Sequence, residues 1–312
     1  MTDLILPTEL SETLDRRRML VTLAGGVAAS LTGPSFAGAP AAPPTDLERR
    51  VERYIKRMRR AGRIASDERT AWSVYDFRRG RKLVSINENR PMQSASMMKL
   101  FVVQAYFYRH RENPKRFPYD ASTRRLVEAM IRDSSNPATN QLMRRVSGRG
   151  KKARPADVQR VLKRYASGIF RETRIVEYIP RNGRSYRNLA SARDYSRFFY
   201  AVWQERLPGA EEMKRVMRLR NHDRIALGSK TIPRSVRVYD KTGTTARMCG
   251  NAGIVQLSDR HPDDAYTFIG IIDKARRTRR YTSWLHSRAD IILNVSELVY
   301  RDIARDRQRR MA

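Results

Sequence analysis

Residues 71–99 read AWSVYDFRRGRKLVSINENRPMQSASMMK and contain the change of pattern on which the fold prediction depends. Ala71–Phe77 and Lys82–Ile86 are rich in β-branched and aromatic residues, and the glycine-containing stretch between them is typical of a hairpin turn. From Ser96 onward, apolar residues recur every three to four positions, which is the period of an α-helix. The sequence therefore predicts two strands that give way to a block of helices at Ser96.

The same two periods predict the elements on either side of this stretch. A helix begins at Thr45-Asp46, where Thr45 can cap it. The predicted helices of the block are 97–110, 122–131, 137–146, 155–165 and 192–203. Three strands follow at 236–241, 250–256 and 266–272, and a long helix, 283–303, closes the chain. The predicted fold class is α+β, with a five-stranded, mostly antiparallel sheet flanked by N- and C-terminal helices and an inserted all-helical subdomain.

The N-terminal segment has the composition of a targeting signal. Arg16-Arg17-Arg18 precedes an apolar stretch, 20–31, that is too short to span a bilayer, and Ser35-Phe36-Ala37 offers the small residues that a signal peptidase reads. Residues 1–37 thus resemble a twin-arginine export signal, with an anchor helix as the alternative. We therefore expect an exported, periplasmic protein that keeps no stable membrane span once the signal is removed.

The expected domain boundaries follow from this segment and from the changes of period. Residues 38–44 form an Ala/Pro-rich linker. One catalytic domain covers 45–308, and it consists of an α/β subdomain and a helical subdomain. The α/β subdomain takes residues 45–93 and 225–312, and the helical subdomain takes residues 94–224.

The chain is strongly basic, and export narrows the partners that this charge implies. Its 312 residues include 64 Lys and Arg against 32 Asp and Glu, so the formal net charge is +32. Without residues 1–37, 61 basic and 28 acidic residues remain, and the charge is +33. Such an excess is typical of proteins that bind nucleic acid, anionic membranes or acidic polymers. Because an exported protein rarely meets genomic DNA, we expect no nucleic-acid partner, and anionic envelope polymers or compositional drift explain the charge.

Other features of the composition exclude several classes of protein. The hydrophobic fraction of 40% is that of a globular protein, so wholesale disorder is excluded. The single cysteine, Cys249, excludes an intramolecular disulfide and is expected to be a small buried hydrophobe. The four histidines lack metal-ligand spacing, and no phosphate-binding or dinucleotide-binding glycine pattern occurs. We expect a monomer that holds no metal and no cofactor.

Three short motifs fall where strands and helices meet. Ser96-Met97-Met98-Lys99 places a hydroxyl and an amine three residues apart, which is one face of a helix. A desolvated lysine can lose its proton near neutral pH and act as the base for the hydroxyl. The motif is weak alone, because this spacing arises by chance about once in a chain of this length.

The second motif is Ser134-Ser135-Asn136, before a helix with Pro137 in its first turn. Taken alone, it is better explained by helix capping through Ser135 or Asn136. A stretch of the same form, Ser85-Ile86-Asn87, lies upstream of Ser96 at a strand end. The third motif, Lys241-Thr242-Gly243-Thr244, is predicted at the end of an apolar strand, where one amine and two hydroxyls can bind a carboxylate. Gly243 allows close approach of backbone or substrate.

In this order the motifs resemble the S-x-x-K, S-x-N and K-T-G set of class A β-lactamases and penicillin-binding proteins. Residues 134–142 (SSNPATNQL) and 189–198 (LASARDYSRF) are similar to further segments of the family, so the resemblance covers roughly residues 45–308. It implies that Ser96 is the acylated nucleophile, Lys99 its base partner and Ser134 a proton relay to the leaving nitrogen.

The resemblance also implies the groups that bind substrate. Asn136 would bind the substrate amide. The substrate carboxylate would be held by Lys241, Thr242 and Thr244. The backbone N–H groups of Ser96 and Thr244 would form the oxyanion hole.

The chain departs from the family pattern in the segment that should supply the deacylating base. The Glu-x-x-Leu-Asn motif is absent, and Glu177 is the nearest carboxylate, two positions out of place. Its alternative role is that of an ion-pair partner among many arginines. Arg247 could assist the substrate carboxylate or could be a solvated charge at the strand edge. Ser135 stands where the family usually has Asp.

These observations predict a β-lactamase-type serine hydrolase that forms an acyl-enzyme through Ser96 and loses it slowly. A D,D-carboxypeptidase acting on peptidoglycan peptides is the first alternative, since it would use the same nucleophile. A non-catalytic cell-envelope binding protein is the second.

Overall fold

The hairpin predicted from residues 71–99 forms one edge of a five-stranded antiparallel sheet. The computed structural model describes residues 43–219 and 222–309. In it, β1 spans Glu68–Asp76 and β2 spans Arg81–Ile86. The sheet is completed by three strands from the second half of the chain, namely β5 (Arg237–Thr245), β6 (Met248–Gln256) and β7 (Ala265–Lys274). Their order is β2-β1-β7-β6-β5, and every neighbouring pair is antiparallel.

Helices cover both faces of the sheet, so the predicted α+β class is confirmed. The terminal helices α1 (Asp46–Arg60) and α8 (Tyr281–Arg309) pack against one face. The inserted helices are α2 (Lys99–Glu112), α3 (Ala121–Ile131), α4 (Asn136–Ser147), α5 (Ala156–Ala166), α6 (Ala192–Trp203) and α7 (Ala210–Met217). Neither α7 nor the two-stranded sheet of β3 (Met92–Gln93) and β4 (Leu189–Ala190) was predicted.

The alternation of side chains along the central strands creates two hydrophobic cores. Ile254 and Ile271 belong to the core beneath the inserted helices, whereas the next residues along each strand, Val255 and Ile272, belong to the core beneath α1 and α8. This is the period of two that a strand imposes. Because both faces are covered, β6 and β7 are buried along almost their whole length.

Helix α2 is the interior helix of the inserted block. Residues 99–108 are all buried, so this helix has no solvated face through its first ten residues. Phe101 stacks on Tyr195 of α6 with ring centroids 4.6 Å apart. Lys99, the first residue of α2, is therefore carried into the protein interior.

A buried ion pair fixes the C-terminal helix to the first strand. Arg288 of α8 donates to both carboxylate oxygens of Glu68 on β1, at 2.9 and 2.5 Å. Burial by itself raises the pKa of Glu68, but hydrogen bonds from Arg288 and Trp284 outweigh it and the pKa falls below 4.5. The C-terminal helix is thus tied to the first strand of the sheet.

The structure does not test several of the predictions about domain organisation. The export signal at 1–37 and most of the linker at 38–44 lie outside the described residues. From Pro44 onward the chain forms one compact unit, and the predicted division of this unit into subdomains stays a prediction. None of the described helices is long and apolar enough to cross a membrane.

Candidate active site

Ser96 lies in a tight turn between β3 and α2. Residues Ala95–Met98 form a 3-10 turn, and the α-helix begins at Lys99, two residues later than predicted. A 3-10 turn has three residues per turn, so side chains at i and i+3 lie directly in line. The ammonium of Lys99 donates a hydrogen bond to Ser96 Oγ at 3.1 Å. The motif therefore brings its two polar groups together through this turn rather than through an α-helical face.

Gly243 allows this turn to lie against β5. A Cβ atom added at Gly243 would come within 2.9 Å of Met97 Cγ and 3.2 Å of the Ser94 carbonyl oxygen. The prediction that Gly243 permits close approach is thus explained by the approach of the Ser96 turn. The strand itself differs from the prediction, because β5 does not end at Lys241 but continues to Thr245. Its pairing with β6 is unbroken through Gly243↔Gly250 and Thr244↔Cys249.

Lys99 also contacts the second motif. Its Nζ donates to Asn136 Oδ1 at 2.9 Å, to Ser134 Oγ at 3.2 Å and to the Ser134 carbonyl oxygen. Ser134 has a φ of 56°, a left-handed conformation that is uncommon outside glycine and concentrates at functional sites. The structure therefore joins Ser96, Lys99, Ser134 and Asn136 in one hydrogen-bonded group.

The competing interpretation of the second motif, helix capping, applies to its middle residue. Ser135 is the N-cap of α4, and its hydroxyl accepts a hydrogen bond from the Ala138 amide at 3.2 Å. With Ser135 as the cap, its neighbours Ser134 and Asn136 both contact Lys99. Within this one motif, the middle residue caps the helix and the two outer residues contact the site lysine.

The two lysines of the site have lowered pKa values. Burial, together with the positive charge of Lys241, lowers the pKa of Lys99 from 10.5 to about 7. Burial lowers the pKa of Lys241 to about 8, a shift that Asp240 opposes and Arg224 increases. Both side chains are almost inaccessible, with 0% and 2% of their surface exposed. Near neutral pH a large fraction of Lys99 is therefore a neutral amine that can accept a proton.

Arg224 is a site residue that the sequence analysis missed. Its guanidinium donates to Thr244 Oγ1 at 2.7 Å and to the Gly250 carbonyl oxygen at 2.7 Å. Its own amide donates to the side chain of Asn251 on β6. Among the described residues it makes no ion pair, so its charge is available beside Thr244. As one of many arginines before a strand, Arg224 has no periodic or motif signal by which the sequence could have singled it out.

The carboxylate of Glu177 is used within its own loop, which we define as residues 177–188. Its Oε1 accepts hydrogen bonds from Ser185 Oγ and the Arg187 amide, both at 2.8 Å. Among the described residues, no carboxylate accepts a hydrogen bond from Ser96, Lys99 or Ser134. The geometry therefore gives Glu177 a role in shaping the loop.

Asn140 and Gly183 determine how this loop lies beside the site. The side chain of Asn140 accepts from the Ile179 amide at 2.9 Å and donates to the Ile179 carbonyl at 2.7 Å. Farther along, a Cβ added at Gly183 would lie 3.8 Å from Asn136 Nδ2. The stretch nearest to the site thus contains no acidic side chain.

Arg247 contacts the same loop at Tyr186. Its guanidinium lies 5.1 Å from the centroid of the Tyr186 ring, and its Nε donates to the Lys274 carbonyl at 3.3 Å. The remaining sequence-predicted groups lie on β5, with Thr242 and Thr244 both partly exposed. Cys249 is buried, as expected, and burial raises its pKa to about 11, so it is not a reactive thiol. Within residues 43–219 and 222–309, no three His, Cys, Asp or Glu side chains are placed to hold a metal ion.

A layered α+β fold with a Ser–Lys pair at the junction of sheet and helical block defines a β-lactamase-like serine hydrolase. The model of the beta-lactamase enzyme family matches residues 114–302, so the chain belongs to that family. A search of curated proteins gives no match.

Solved structures agree on the fold. A mutant of PBP-A, solved as its acyl-enzyme complex with penicillin G, aligns with a TM-score of 0.63 and 16% identity, covering 85% of this chain and 100% of that one. An ancestral class A β-lactamase (GNCA) aligns with a TM-score of 0.62 and 16% identity, and the alignment covers 82% of this chain and 99% of that one. The β-lactamase of Sphaerobacter thermophilus aligns with a TM-score of 0.62 and 17% identity, and the alignment covers 81% of this chain and 97% of that one. At these identities the likeness establishes the fold alone.

Proposed function

We propose that the protein is a serine hydrolase of the class A β-lactamase type, which opens β-lactam rings through Ser96 and releases the product slowly. The observation that carries this proposal is the contact between Ser96 Oγ and a buried lysine whose pKa is about 7. A hydroxyl becomes a competent nucleophile only when a base takes its proton, and a neutral Lys99 can do so.

In the acylation step, neutral Lys99 accepts the Ser96 proton while Oγ attacks the lactam carbonyl carbon. The oxyanion that forms is bound by the backbone N–H groups of Ser96 and Thr244, a contribution of about 3–4 kcal/mol. When the C–N bond breaks, the proton passes from Lys99 through Ser134 Oγ, 3.2 Å away, to the leaving nitrogen. The products of this step are an ester on Ser96 and an opened ring that carries an N–H group.

The substrate is oriented by groups on either side of Ser96. Asn136 binds the amide of the acyl side chain, and Lys241, Thr242 and Thr244 bind the carboxylate next to the lactam nitrogen. Arg224 supports the second contact, because its guanidinium already donates to Thr244 Oγ1.

Deacylation is expected to be slow because a hydrolytic water also needs a base. The loop beside the site presents Gly183 to Asn136, and the carboxylate of Glu177 is engaged by Ser185 and Arg187. The same observation favours a second candidate, a penicillin-binding D,D-carboxypeptidase that acts on peptidoglycan peptides through the same nucleophile.

Labelling with a fluorescent penicillin tests the proposal. We expect stoichiometric label on Ser96 that persists after removal of free reagent, and none on the Ser96→Ala variant. Turnover of a chromogenic cephalosporin at ~10 s⁻¹ or more would contradict slow deacylation. Folded wild-type protein that takes no label would contradict acyl transfer altogether and leave a non-catalytic envelope-binding role.

Unlabelled protein, whose Ser96 is free to react, can then be given D-Ala-D-Ala peptides to compare the two candidates. Release of D-alanine at a rate above that of β-lactam turnover would favour the peptidase.

We further propose that residues 1–37 direct export to the periplasm through the twin-arginine route. The support is the Arg16-Arg17 pair ahead of a mildly apolar stretch. Changing both arginines to lysine should leave the precursor in the cytoplasm, and the N-terminus of the exported form should begin near Gly38.

A further inference from the structure

Three loops meet beside the site and form a continuous rim, which we define as residues 181–187, 246–247 and 275–280. The guanidinium of Arg247 lies over the Tyr186 ring, which joins the first two loops. The Thr278 amide donates to the Ala246 carbonyl at 2.9 Å, and the Lys274 amide donates to the Arg247 carbonyl at 2.8 Å, which joins the second to the third.

The rim carries cations and no acids. Residues 181–187 contain Arg181, Arg184 and Arg187, residues 275–280 contain four further arginines, and no Asp or Glu occurs in any of the three loops. All seven of these arginines are exposed. Within the described parts of the chain, none of these seven arginines forms an ion pair, and Arg247 forms none either. Elsewhere many surface arginines are paired, as Arg215 is with Glu128 and Glu212. The carboxylate of Glu177 lies against the rim through its hydrogen bonds with Ser185 and the Arg187 amide, and this one acid leaves the rim with a large excess of positive charge.

The position of the rim determines which part of a substrate meets this potential. Asn136 binds the side-chain amide of an acyl donor in the proposed function, and Gly183 lies next to the Asn136 amide group. A substituent on the carbon that follows the amide carbonyl is therefore directed to residues 181–187. Clefts lined by one sign of charge raise the association rate of oppositely charged ligands 10- to 10³-fold.

We infer that the site selects acyl donors that carry a second carboxylate next to their side-chain amide, in addition to the carboxylate held on β5. This inference rests on the proposed function, and it names the substrate class through the rim. A cationic group at the same position is disfavoured, because it meets an excess of like charge there.

Three penicillins that differ in one substituent test the inference. Benzylpenicillin and its α-carboxylate and α-ammonium derivatives share one scaffold, so we compare their second-order acylation rate constants on the full mature protein. For wild type at low ionic strength, the ratio of the α-carboxylate to the α-ammonium constant should be at least about tenfold higher than in ~1 M NaCl, where the screening length is about 3 Å.

The second part of the experiment removes the positive charge from the loop next to Asn136. The triple variant Arg181→Gln/Arg184→Gln/Arg187→Gln should lower the carboxylate-to-ammonium ratio about tenfold. The matched control, Arg53→Gln/Arg57→Gln/Arg60→Gln, removes three exposed charges from α1, which packs on the other face of the sheet. Dividing the ratio of each variant by that of wild type cancels the intrinsic reactivity of the penicillins.

The outcomes distinguish this inference from the proposed function. Equal ratios in wild type and the rim variant, or an equal fall in the α1 control, would overturn the inference while leaving acylation intact. If no penicillin acylates the protein, the proposed function fails instead. Should the triple variant not fold, the single variant Arg184→Gln is compared with the single control Arg57→Gln in the same way, and equal ratios would overturn the inference.

Discussion

At the scale of single residues, the chemistry of this site depends on two lysines that are buried close together. In the proposed mechanism neutral Lys99 is the reactive form, so acylation should rise with pH through the Lys99 pKa of about 7. The charge of Lys241 contributes to that low value. Removing the charge raises the pKa of Lys99, and the proton is then lost only at higher pH.

The first prediction follows from this coupling. Lys241→Met should move the midpoint of the pH–rate profile for acylation to higher pH, and the rate at pH 7 should fall about threefold or more. The profile is measured from pH 5 to 9 at saturating β-lactam, so that weaker binding does not mask the shift. The exposed Lys230→Met serves as the control with an unchanged midpoint. A midpoint that stays in place or falls in Lys241→Met would refute the coupling.

The second prediction concerns Gly243. Gly243→Ala places a methyl group 2.9 Å from Met97 Cγ and 3.2 Å from a backbone oxygen, so the turn that carries Ser96 must shift. A displacement on the order of 1 Å can cost 10²-fold in rate. We expect a loss of about that size in acylation, with destabilisation of only about 1–3 kcal/mol.

Gly168→Ala is the matched control, because a Cβ at Gly168 meets no atom within 4 Å. Acylation by Gly243→Ala at the wild-type rate would show that the close approach of β5 does not position Ser96.

At the scale of elements, the proposed function makes the loop 177–188 the part of the chain on which hydrolysis of the acyl-enzyme would depend. Glu177→Gln keeps an oxygen that can accept from Ser185 and the Arg187 amide, but it removes the basic carboxylate. Loss of a general base costs about 10²- to 10⁴-fold in the step it serves. Because Glu177 only shapes the loop, deacylation by Glu177→Gln should stay within about twofold of wild type.

Glu177→Ala supplies the contrasting measurement. It removes both hydrogen bonds, worth about 1–3 kcal/mol together, and should make the loop more susceptible to protease. A hundredfold loss of deacylation in Glu177→Gln without loosening of the loop would identify Glu177 as the base after all.

The sequence predicted these elements unequally, for physical reasons. Hydrophobic periodicity located the helices that have one apolar face, as in α1 and α5. Strand β5 was predicted to end at Lys241 because its last residues, Thr242–Thr245, are small and polar. Pairing with β6 extends the strand through them. The eight-residue α7 was missed because so short a helix depends on tertiary packing.

The residues of the site were predicted from the order of the motifs, but the contacts among them could be seen only in the folded structure. Ser96, Lys99, Ser134 and Asn136 were assigned from their spacing and their resemblance to a family, and the structure brings them together around one amine. Arg224 could not be found in this way, because its contact with Thr244 exists only after the chain folds. The tight turn at Ser96 likewise depends on Gly243, far away in sequence.

At the scale of the whole molecule, several of the few acids are used inside the fold. Glu68, Asp76 and Asp273 are buried, and each accepts hydrogen bonds from an arginine. These carboxylates neutralise cations in the interior and on its margin, so they cannot offset the remaining surface charge. A chain with a net charge of +32 therefore folds against repulsion among exposed arginines.

This imbalance predicts that added salt stabilises the protein. Screening weakens surface ion pairs and like-charge repulsion alike, and with twice as many basic as acidic residues the loss of repulsion dominates. Raising NaCl from about 20 mM to about 0.5 M should increase Tm by a few degrees, equivalent to about 1–2 kcal/mol. Chloride is chosen because sulfate also strengthens hydrophobic burial. A Tm that falls with NaCl would show instead that the ion pairs outweigh the repulsion, and the charge excess would then carry no cost in stability.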